Sequence, residues 1–458
     1  MNEKVAKYFE KLKGKRIAVL GIGVSNRPLI RMLLARGLTV LACDKTPREN
    51  LDEEVLDLER MGAALHVGDG YLDGVQADVV FRTPGMHPDI PALRQLREDG
   101  AVVTSEMEAF FTVCPCRIIA VTGSDGKTTT TTLISEILRH AGYTVWLGGN
   151  IGTPLLPLAE KMTPSDIAVV ELSSFQLMGM TQSADIAVVT NLAPNHLDVH
   201  KDMAEYIAAK ENVFLHQSSS GKLVVNMDND ITNAFAAKAP GTVEKFSRCS
   251  KPQNGVWLEN GIIYRNGREI MPAADIKIPG VHNIENYMAA ACATEGLASD
   301  DDVDYVARNF GGVEHRIELV RELRGVKYYN DSIASSPSRT IAGLHSFTQK
   351  VILIAGGYDK HIPFDALGPE ICAHVKTLVL CGATADKIRT AVLNAPEYAA
   401  GKPEILEAED LREAVLLAQK AAAAGDIVTL SPACAAFDQF KNFAVRGKTF
   451  KEIVNSLT

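Results

Sequence analysis

A glycine-rich turn between a predicted strand and a predicted helix constrains this chain most. The apolar run Ile118 to Val121 is followed by Thr122-Gly-Ser-Asp-Gly-Lys-Thr-Thr129, and apolar residues then recur at helical spacing from Leu133 to Leu138. Backbone N–H groups at such a helix start favour an anion, and the lysine adds a positive charge. The pattern therefore predicts nucleotide phosphate binding, and the alternative is a turn that only caps an ordinary helix.

The spacing of this turn is shorter than that of the general phosphate-binding loop. Only Ser124 and Asp125 separate Gly123 from Gly126, whereas the general pattern has four residues between its glycines. The shortened loop indicates a narrower family of nucleotide-binding proteins. Hydroxyl groups of the threonines that follow can also bind Mg²⁺.

Length and composition limit the class of protein. A chain of 458 residues predicts about three domains, and its 46% hydrophobic and 22% charged residues are those of ordinary globular proteins. The net charge of −9 argues against a broad nucleic-acid surface. No apolar run approaches the roughly 20 residues that span a membrane, and the N-terminus has no secretory pattern. We therefore expect a cytoplasmic protein with free thiols, and we expect it to be a monomer.

Short apolar runs alternate with amphipathic stretches along most of the chain. The predicted strands are Ile17–Leu20, Thr39–Cys43, Ile118–Val121, Ile167–Val170, Ile186–Val189, Val351–Ala355, Leu378–Cys381 and Ile427–Leu430. Unbroken apolar runs of this length are typical of parallel strands buried on both faces. The alternation with helices predicts an α/β fold built from repeated βα units.

Two changes in this alternation suggest domain boundaries. A predicted helix, Glu106 to Val113, leads into the strand before the glycine-rich turn, and a Gly-Gly pair precedes His315. The predicted domains are therefore residues 1–105, 106–312 and 313–458. Within the second domain, residues 241–279 are rich in Gly and Asn and predict an antiparallel insertion.

The N-terminal domain carries a second glycine-rich turn. Gly21-Ile-Gly23-Val24-Ser25-Asn26 follows the first strand, and Asp44 closes the next one. This resembles a dinucleotide-binding unit, but Asn26 replaces its third glycine. NAD, another nucleotide diphosphate and no ligand all remain open at this point. Thr83 lies in a turn after another strand, at the sheet edge where ligands of open α/β sheets bind.

Two polar residues follow strands of the central domain. Glu171 ends one strand, and His196 follows the next. In a parallel sheet both would share the edge that carries the phosphate loop, so they are candidate Mg²⁺ ligands. Each alone could be a solvated or capping residue. The nearby Asp198 and His200 stay open between ligand, cap and surface residue.

Two further central residues are ambiguous from the pattern alone. Asn150 lies in a turn after a strand-like run, where it is either structural or bound to substrate. Lys210 lies in a predicted helix, and the simplest interpretation is a solvated lysine.

Polar turns also follow predicted strands in the last third of the chain. Asp331 follows Val326 to Tyr329, where it can contact a ribose or a metal-bound water. Asn283 precedes an alanine-rich helix, and capping of that helix is the alternative to a role in binding. The turns at 356–360 and 431–443 follow strands as well. The first is either a simple turn or part of a site, and the second consists either of core residues or of part of a site.

Together these motifs closely resemble the Mur ligases of peptidoglycan synthesis. The matching segments are Thr122–Thr128, Glu171–Gln176, His282–Asn286, His315–Arg316, Asn330–Ser332 and, for the D-glutamate-adding members, Ser431–Phe443. The resemblance spans essentially the whole chain. It implies a Rossmann-like N-terminal domain that binds a UDP-sugar, a central P-loop ATPase-like domain with a parallel sheet, and a C-terminal Rossmann-like α/β domain that binds the amino acid.

The resemblance also implies a reaction. ATP phosphorylates the alanyl carboxylate of UDP-N-acetylmuramoyl-L-alanine, and the amine of D-glutamate attacks the acyl phosphate. Phosphate leaves and an amide remains. Positive charge from lysine and Mg²⁺ would stabilise the transferring phosphoryl group.

The roles that the resemblance implies fall into three sets. ATP would be bound by Gly123, Ser124, Asp125, Gly126, Lys127, Thr128, Thr129, Asn283, Arg316 and Asp331. The other substrates would be bound by Gly23, Val24, Ser25, Asp44, Lys45, Thr83 and Asn150 on the UDP-sugar side, and by Ser335, Lys360, Phe437 and Phe443 around D-glutamate. Two Mg²⁺ ions would be held by Thr128, Glu171, His196 and Lys210, with Lys127, His196 and Lys210 catalytic. The family lysine is carbamylated, and a carbamate supplies the oxygens that an ammonium lacks.

Three residues depart from the family pattern. Ile333 stands where many relatives have Lys, Ala436 where a serine is common, and Asn195 where relatives often have Asp. These departures affect contacts to D-glutamate more than the ATP chemistry.

Other functions remain as alternatives. Another Mur ligase or a folylpolyglutamate synthetase would share the ATP chemistry and add a different amino acid. A Rossmann dehydrogenase would bind NAD. A non-catalytic nucleotide-binding protein would not need Lys127, Glu171, His196 and Lys210 together.

Overall fold

The computed structural model describes residues 3–194, 199–360, 362–399 and 401–458. These residues form two compact units, Met1–Ala273 with Glu285–Val306 and Ala274–Ile284 with Ala307–Thr458. None of the described helices is long and apolar enough to cross a membrane. The eight cysteines, all within the described ranges, are free thiols as predicted.

An N-terminal parallel sheet has five strands among the described residues, in the order β3-β2-β1-β4-β5. Its strands are β1 Ile17–Leu20, β2 Val40–Asp44, β3 Ala64–Val67, β4 Val79–Arg82 and β5 Val102–Thr104. The helices of this region are α1 Glu3–Glu10, α2 Asn26–Ala35, α3 Glu53–Arg60, α4 Pro91–Glu98 and α5 Glu106–Val113. β1 pairs with β2 on one side and with β4 on the other, so the strand order reverses at β1. Ligands of open α/β sheets bind at such switch points.

The central sheet has nine strands in the described part of the chain, in the order β14-β13-β12-β11-β10-β9-β6-β8-β7. They are β6 Arg117–Thr122, β7 Val145–Gly149, β8 Ile167–Glu171, β9 Ile186–Val189, β10 Lys222–Asn226, β11 Thr242–Ser247, β12 Gly255–Glu259, β13 Ile262–Arg265 and β14 Arg268–Pro272. The helices are α6 Lys127–His140, α7 Ser174–Leu177, α8 Met203–Glu211, α9 Asp230–Ala234, α10 Val281–Ala293 and α11 Asp300–Asn309. A second switch point lies at β6, which pairs with β8 and β9.

The predicted antiparallel insertion is part of this central sheet. β12, β13 and β14 pair antiparallel. β11 lies within residues 241–279, but it pairs parallel with β10 and with β12. The antiparallel arrangement therefore starts later than the composition of residues 241–279 suggests.

The third sheet contains six described strands in the order β15-β16-β20-β17-β18-β19. They are β15 Glu318–Leu323, β16 Val326–Asn330, β17 Val351–Ala355, β18 Val375–Leu380, β19 Glu404–Glu407 and β20 Ile427–Leu430. The helices are α12 Pro337–Leu344, α13 Leu367–His374, α14 Ala385–Leu393, α15 Leu411–Ala421 and α16 Phe443–Ser456. Apart from β15, which runs antiparallel to β16, the strands pair parallel.

The apolar runs form the buried centres of these sheets. Every residue of β1, β9 and β17 is buried, and burial of one large aliphatic side chain contributes about 1.5–3 kcal/mol. The α/β fold with parallel sheets is thus confirmed. The boundaries at 105/106 and 312/313 stay predictions, although they fall between the strands of different sheets.

Candidate active site

The phosphate-loop candidate turns tightly between β6 and α6. Gly123 and Gly126 have φ angles of 149° and 77°, a region that disfavours residues with a side chain. A Cβ at Gly123 would collide with the side chain of Thr190, and one at Gly126 with Asn286. Both glycines are therefore required by conformation and by close packing.

Part of the loop backbone is already bound within the protein. The N–H groups of Ser124 and Asp125 donate to the carbonyl oxygen and to Oδ1 of Asn191, at 2.8 Å and 3.0 Å. The hydroxyl of Thr190 donates to the carbonyl of Asp125 at 2.6 Å. These bonds hold the loop in shape, so the amides best placed to meet a phosphate belong to Gly126 and the first turn of α6.

Lys127 begins α6 and folds back over the loop. Its Nζ donates to the carbonyl oxygen of Ser124 at 2.8 Å. The first intrahelical bond runs from the N–H of Thr130 to the carbonyl of Gly126, so the amides of Thr128 and Thr129 have no partner within the helix. The positive helix end and the lysine together favour a bound anion.

Glu171 ends β8 beside the strand that carries the loop, and it pairs in register with Val121. Its side chain is buried, and Oε1 accepts a 2.7 Å hydrogen bond from Nδ2 of Asn150. Oε2 is buried without a hydrogen-bond partner among the described residues. A buried carboxylate oxygen without a partner fits a cation ligand, because burial of a bare charge is costly.

Lys210 lies in α8 and is 1% exposed, so it is not the solvated lysine that the pattern suggests. Its Nζ donates to Oγ1 of Thr122 at 3.1 Å and to the carbonyl of Gly123 at 3.0 Å. Burial and the charge of Lys127 lower its pKa well below the usual range, and Glu171 partly opposes this. Lys210 is therefore a buried amine that easily becomes neutral, next to the phosphate loop.

Two histidines were candidates beside this centre. His196, like Asp198, lies outside the described residues. His200 is 2% exposed, its Nε2 lies 2.9 Å from Oγ of Ser174, and its ring stacks on Phe175 with centroids 5.4 Å apart. This burial excludes the surface alternative for His200, and its roles as a ligand or a cap stay predictions.

The N-terminal switch point holds the predicted UDP-side residues. Asp44 accepts backbone N–H groups of Ile22 and Thr46, at 2.7 Å and 2.9 Å. Partial burial raises the pKa of Asp44, but these hydrogen bonds outweigh it, and the pKa lies below its usual value. Asn26 donates to the carbonyl of Gly21 at 2.8 Å, so it closes the turn in place of the missing third glycine.

The other predicted UDP-side residues lie in the same turns after β1, β2 and β4. Val24 has an exposed fraction of 80%, which is unusual for an apolar side chain and leaves it available for a ligand. Gly23 and Lys45 are exposed, and Ser25 and Thr83 are half-buried. The predicted residues thus lie along one sheet edge.

In the C-terminal unit, Asp331 follows β16 and is buried. The hydroxyl of Ser431 donates to its Oδ2 at 2.7 Å, and the N–H of Ile317 donates to its Oδ1 at 3.3 Å. Burial raises the pKa of Asp331 to about 7. Nδ2 of Asn283 donates to the carbonyl of Pro279 at 2.5 Å, and Arg316 is half-buried in the turn before β15.

The predicted amino-acid residues lie after three neighbouring strands of the same sheet. Ser335 follows β16, Lys360 follows β17, and Phe437 follows β20. Lys360 is exposed, and Phe437 and Phe443 have exposed fractions of 62% and 39%. Exposed aromatic rings and an exposed cation thus follow neighbouring strands of one sheet, and together these groups can bind a small anionic ligand.

Arg446 connects two of these turns, and sequence reasoning missed it. It lies in α16 with 4% exposure, and its guanidinium donates to Oγ and the carbonyl of Ser332 at 3.0 Å and 2.9 Å. It also donates to the carbonyls of Cys434 and Ala435, at 3.0 Å and 3.1 Å. Burial lowers its pKa to about 10. A single arginine in an amphipathic helix gives no signal of such a role.

Comparisons with known proteins match most of the chain to Mur ligases. Residues 121–294 match the family description "Mur ligase middle domain", and residues 315–434 match "Mur ligase, glutamate ligase domain". Among solved structures, the chain is similar to UDP-N-acetylmuramate-alanine ligase MurC from Thermotoga maritima, with 17% identity, a TM-score of 0.58 and coverage of 96% and 99% of the two chains. A pseudomurein peptide ligase type C from Methanothermus fervidus has 16% identity and a TM-score of 0.53, over 97% of this chain and 100% of that one. These two likenesses support the fold.

Relatives of higher identity cover both chains completely. The chain is 53% identical to a UDP-N-acetylmuramoylalanine–D-glutamate ligase of Acetivibrio thermocellus, over 100% of both proteins. It is 52% identical to a ligase of the same name from Clostridium botulinum strain Alaska E43, again over 100% of both. Identity of this extent, on the fold and motifs described above, shows that the chain belongs to the Mur ligase family.

Proposed function

We propose that this chain is an ATP-dependent ligase that joins D-glutamate to UDP-N-acetylmuramoyl-L-alanine and releases ADP and phosphate. The observation that carries this proposal is the end-to-end identity of 53% with a relative named for that reaction. The buried Glu171 and Lys210 beside the phosphate loop support the ATP chemistry. The reaction supplies a precursor of peptidoglycan, and we expect it in the cytoplasm, because ATP and UDP-sugars are cytoplasmic metabolites.

The proposed reaction has two steps. An oxygen of the alanyl carboxylate attacks the γ-phosphorus of ATP, and the bond to the ADP oxygen breaks. The amine of D-glutamate then attacks the acyl-phosphate carbon, and the tetrahedral intermediate expels phosphate as the amide forms. Activation is needed because a carboxylate is a poor electrophile, and preorganised positive charge stabilises the phosphoryl group as it transfers.

The phosphate loop would orient ATP for the first step. We assign the phosphates to Gly126, Lys127 and the N-terminal turn of α6, with Gly123, Ser124 and Asp125 shaping the loop. When phosphate binds, Nζ of Lys127 exchanges the carbonyl of Ser124 for a charged oxygen. As the family resemblance implies, we assign the remainder of ATP to Asn283, Arg316 and Asp331.

The donor set of the loop fits Mg²⁺. Thr128 would offer a hydroxyl, and Glu171 the buried Oε2 that has no partner among the described residues. Hard oxygen ligands of this kind suit Mg²⁺, which when bound neutralises charge on the phosphates. A second ion would use His196 and Lys210, and this number of sites is part of the proposal.

Lys210 can serve a cation only as a carbamate. An ammonium repels metal ions, but a neutral amine adds CO₂ and releases a proton, and the product presents two oxygens. The lowered pKa of Lys210 favours that neutral amine. Its position beside Thr122 and Gly123 places the carbamate next to the loop.

The N-terminal sheet edge would bind the UDP part of the substrate. We assign this role to Gly23, Val24, Ser25, Asp44, Lys45 and Thr83, all in turns at the carboxyl ends of β1, β2 and β4. Asn150 would contact the sugar-peptide, and its bond to Glu171 links that contact to the metal ligand. NAD is then not the ligand of this turn.

D-glutamate would bind at the C-terminal sheet edge. Lys360 would pair with a carboxylate, and Ser335, Phe437 and Phe443 would surround the side chain. The residues Ile333 and Ala436 lack polar groups that relatives often have, so these two side chains cannot supply those contacts to D-glutamate. We further propose residues 1–105, 106–312 and 313–458 as the UDP-sugar, ATP and amino-acid domains.

Phosphate release with a panel of amino acids tests the acceptor. With UDP-N-acetylmuramoyl-L-alanine and ATP present, we expect turnover with D-glutamate and at least about 100-fold less with L-glutamate, L-alanine or L-lysine. Turnover with another acceptor and none with D-glutamate would assign the chain to a different Mur ligase or to a folylpolyglutamate synthetase-like reaction. Gel filtration of the active protein would test the expected monomer.

A further inference from the structure

Two histidines and a glutamate meet on the surface of the C-terminal unit. His345 lies at the C-cap of α12, and Glu370 and His374 lie one turn apart in α13. Nε2 of His345 and Nε2 of His374 lie 2.7 Å and 3.5 Å from Oε2 of Glu370. In the part of the chain that the structure describes, no other three His, Cys, Asp or Glu side chains bring ligand atoms within 4.8 Å of one another.

The spacing of these atoms suits one transition-metal ion. Ligand atoms that bind Zn²⁺ at about 2.0–2.1 Å in a tetrahedron are about 3.4 Å from each other. The 3.5 Å between His374 and Glu370 matches this spacing, and the 2.7 Å between His345 and Glu370 would have to lengthen by about 0.7 Å to reach it. Only small side-chain rotations are then needed to admit an ion. Two imidazoles and a carboxylate select Zn²⁺ or a similar transition metal over Mg²⁺, which prefers oxygen ligands throughout.

Charge and access also favour a cation at this position. Both α12 and α13 end here, and the C-terminal ends of helices carry partial negative charge. The side chains of His345, Glu370 and His374 are 51%, 32% and 35% exposed, so the cluster is open to solvent. A water molecule could supply the fourth ligand of an ion bound here.

We propose that His345, Glu370 and His374 form a Zn²⁺ site that joins α12 to α13. An ion here would fix the end of α12, and this helix packs against Asp331. A Cβ on Gly343 would lie 2.8 Å from Oδ2 of Asp331, and the hydroxyl of Thr340 donates to the carbonyl of Ser431. The site is thus a structural clamp behind Asp331 and is separate from the Mg²⁺ chemistry.

Zn²⁺ titration of four proteins tests the site. The proteins are the wild type, His345→Ala, His374→Ala and the control His216→Ala, which removes an exposed histidine elsewhere. We expect calorimetry to find one bound Zn²⁺ per chain in the wild type and in the control. In His345→Ala and His374→Ala the affinity for this Zn²⁺ should fall more than about 100-fold, since even changes outside the direct ligands cost 10- to 100-fold in metal affinity. Zn²⁺ bound at any other site would be present equally in all four proteins, so it would not produce this difference. Equal stoichiometry and affinity in all four would overturn the proposal.

A second measurement uses the unmodified protein. In protein labelled with ¹⁵N-histidine, Zn²⁺ should shift the imidazole signals of His345 and His374 together. The two alanine variants assign these signals. If those variants do not fold, His345→Gln and His374→Gln serve instead. Zn²⁺ should also raise the Tm of the wild type and not that of Glu370→Gln. Imidazole signals that do not respond, together with an unchanged Tm, would show that the three side chains form only an ion pair.

Discussion

Asn150 donates a 2.7 Å hydrogen bond from Nδ2 to Oε1 of Glu171, and Oε2 of the same carboxylate is buried without a partner among the described residues. The two residues lie at the ends of neighbouring strands, where Gly149 pairs in register with Glu171. Asn150 therefore fixes the carboxylate while one oxygen stays available. This is the arrangement expected of a metal ligand whose orientation is set by its neighbour.

Replacement of Glu171 by Gln should abolish Mg²⁺-dependent turnover while the fold survives. The amide oxygen can still accept the bond from Asn150, but the charge that would bind Mg²⁺ is lost. We expect a fall in kcat of at least about 100-fold, the scale on which removal of one electrostatic contact acts, in an assay of phosphate release against Mg²⁺ concentration. The surface variant Glu136→Gln is the control and should behave as the wild type. A Glu171→Gln enzyme within twofold of the wild type would exclude the metal role.

Lys210 should carry a carbamate in the active enzyme. Lys210→Met keeps most of the length of the side chain and removes the amine, so it should lower turnover by at least about 100-fold without unfolding the protein. Protein incubated with ¹³CO₂ should show one carbamate carbon by NMR that is absent from the variant. The lowered pKa supports this reaction near neutral pH because CO₂ adds to the uncharged amine. The idea fails if the variant is fully active or if the labelled signal persists in it.

The pKa of Asp331, raised by burial to about 7, should make stability depend on pH. Between about pH 4 and pH 7 the folded protein holds a proton that the unfolded chain has lost. Stability therefore falls as pH rises through this window, by at most about 1.4 kcal/mol per pH unit.

Asp331→Asn should remove this dependence. The side-chain oxygen of the new asparagine can accept from the N–H of Ile317, and its amide can donate to the hydroxyl oxygen of Ser431. That hydroxyl then donates to Oγ1 of Thr340, which lies 3.1 Å away. We expect the variant to have the higher Tm at pH 8 and a smaller advantage at pH 5. An advantage that is largest at pH 5 would contradict the assignment.

The strands were the most predictable part of the fold. Ile17–Leu20, Ile186–Val189, Val351–Ala355 and Ile427–Leu430 have the bounds that their apolar runs predict. These strands are buried on both faces, so hydrophobicity alone defines them. β18 instead begins at Val375, three residues before its predicted start, because it includes an exposed lysine at the sheet end.

The site was predictable only in outline. Strand-end position brought Glu171 next to the phosphate loop, since parallel strands share an edge. The bonds from the loop to Asn191 and the contacts of Arg446 were not predictable, because each depends on turns that are distant in sequence and meet only in the folded protein. The burial of Lys210 was equally hidden, since its helix has no strong apolar face in the sequence.

Arg446 should act on the acceptor amino acid through the turns that it holds. Arg446→Met removes its donors to Ser332, Cys434 and Ala435, and each buried charged hydrogen bond is worth about 1.5–3 kcal/mol. We expect a lower Tm and a KM for D-glutamate raised at least about tenfold, which corresponds to the loss of about 1.4 kcal/mol of binding, with a smaller change in the KM for ATP. The matched control is Lys448→Met, an exposed position of the same helix. Equal rises in both KM values would indicate a merely structural role.

Transfer of ¹⁸O tests the acyl-phosphate account most directly. UDP-N-acetylmuramoyl-L-alanine with both alanyl carboxylate oxygens labelled is incubated with ATP, Mg²⁺, D-glutamate and the enzyme, and the phosphate is examined by mass spectrometry. One labelled oxygen becomes the bridge of the acyl phosphate and leaves with it, while the other stays in the amide. The account predicts one ¹⁸O in each phosphate released and one in each amide formed. Phosphate without ¹⁸O, or no D-glutamyl product, would contradict it.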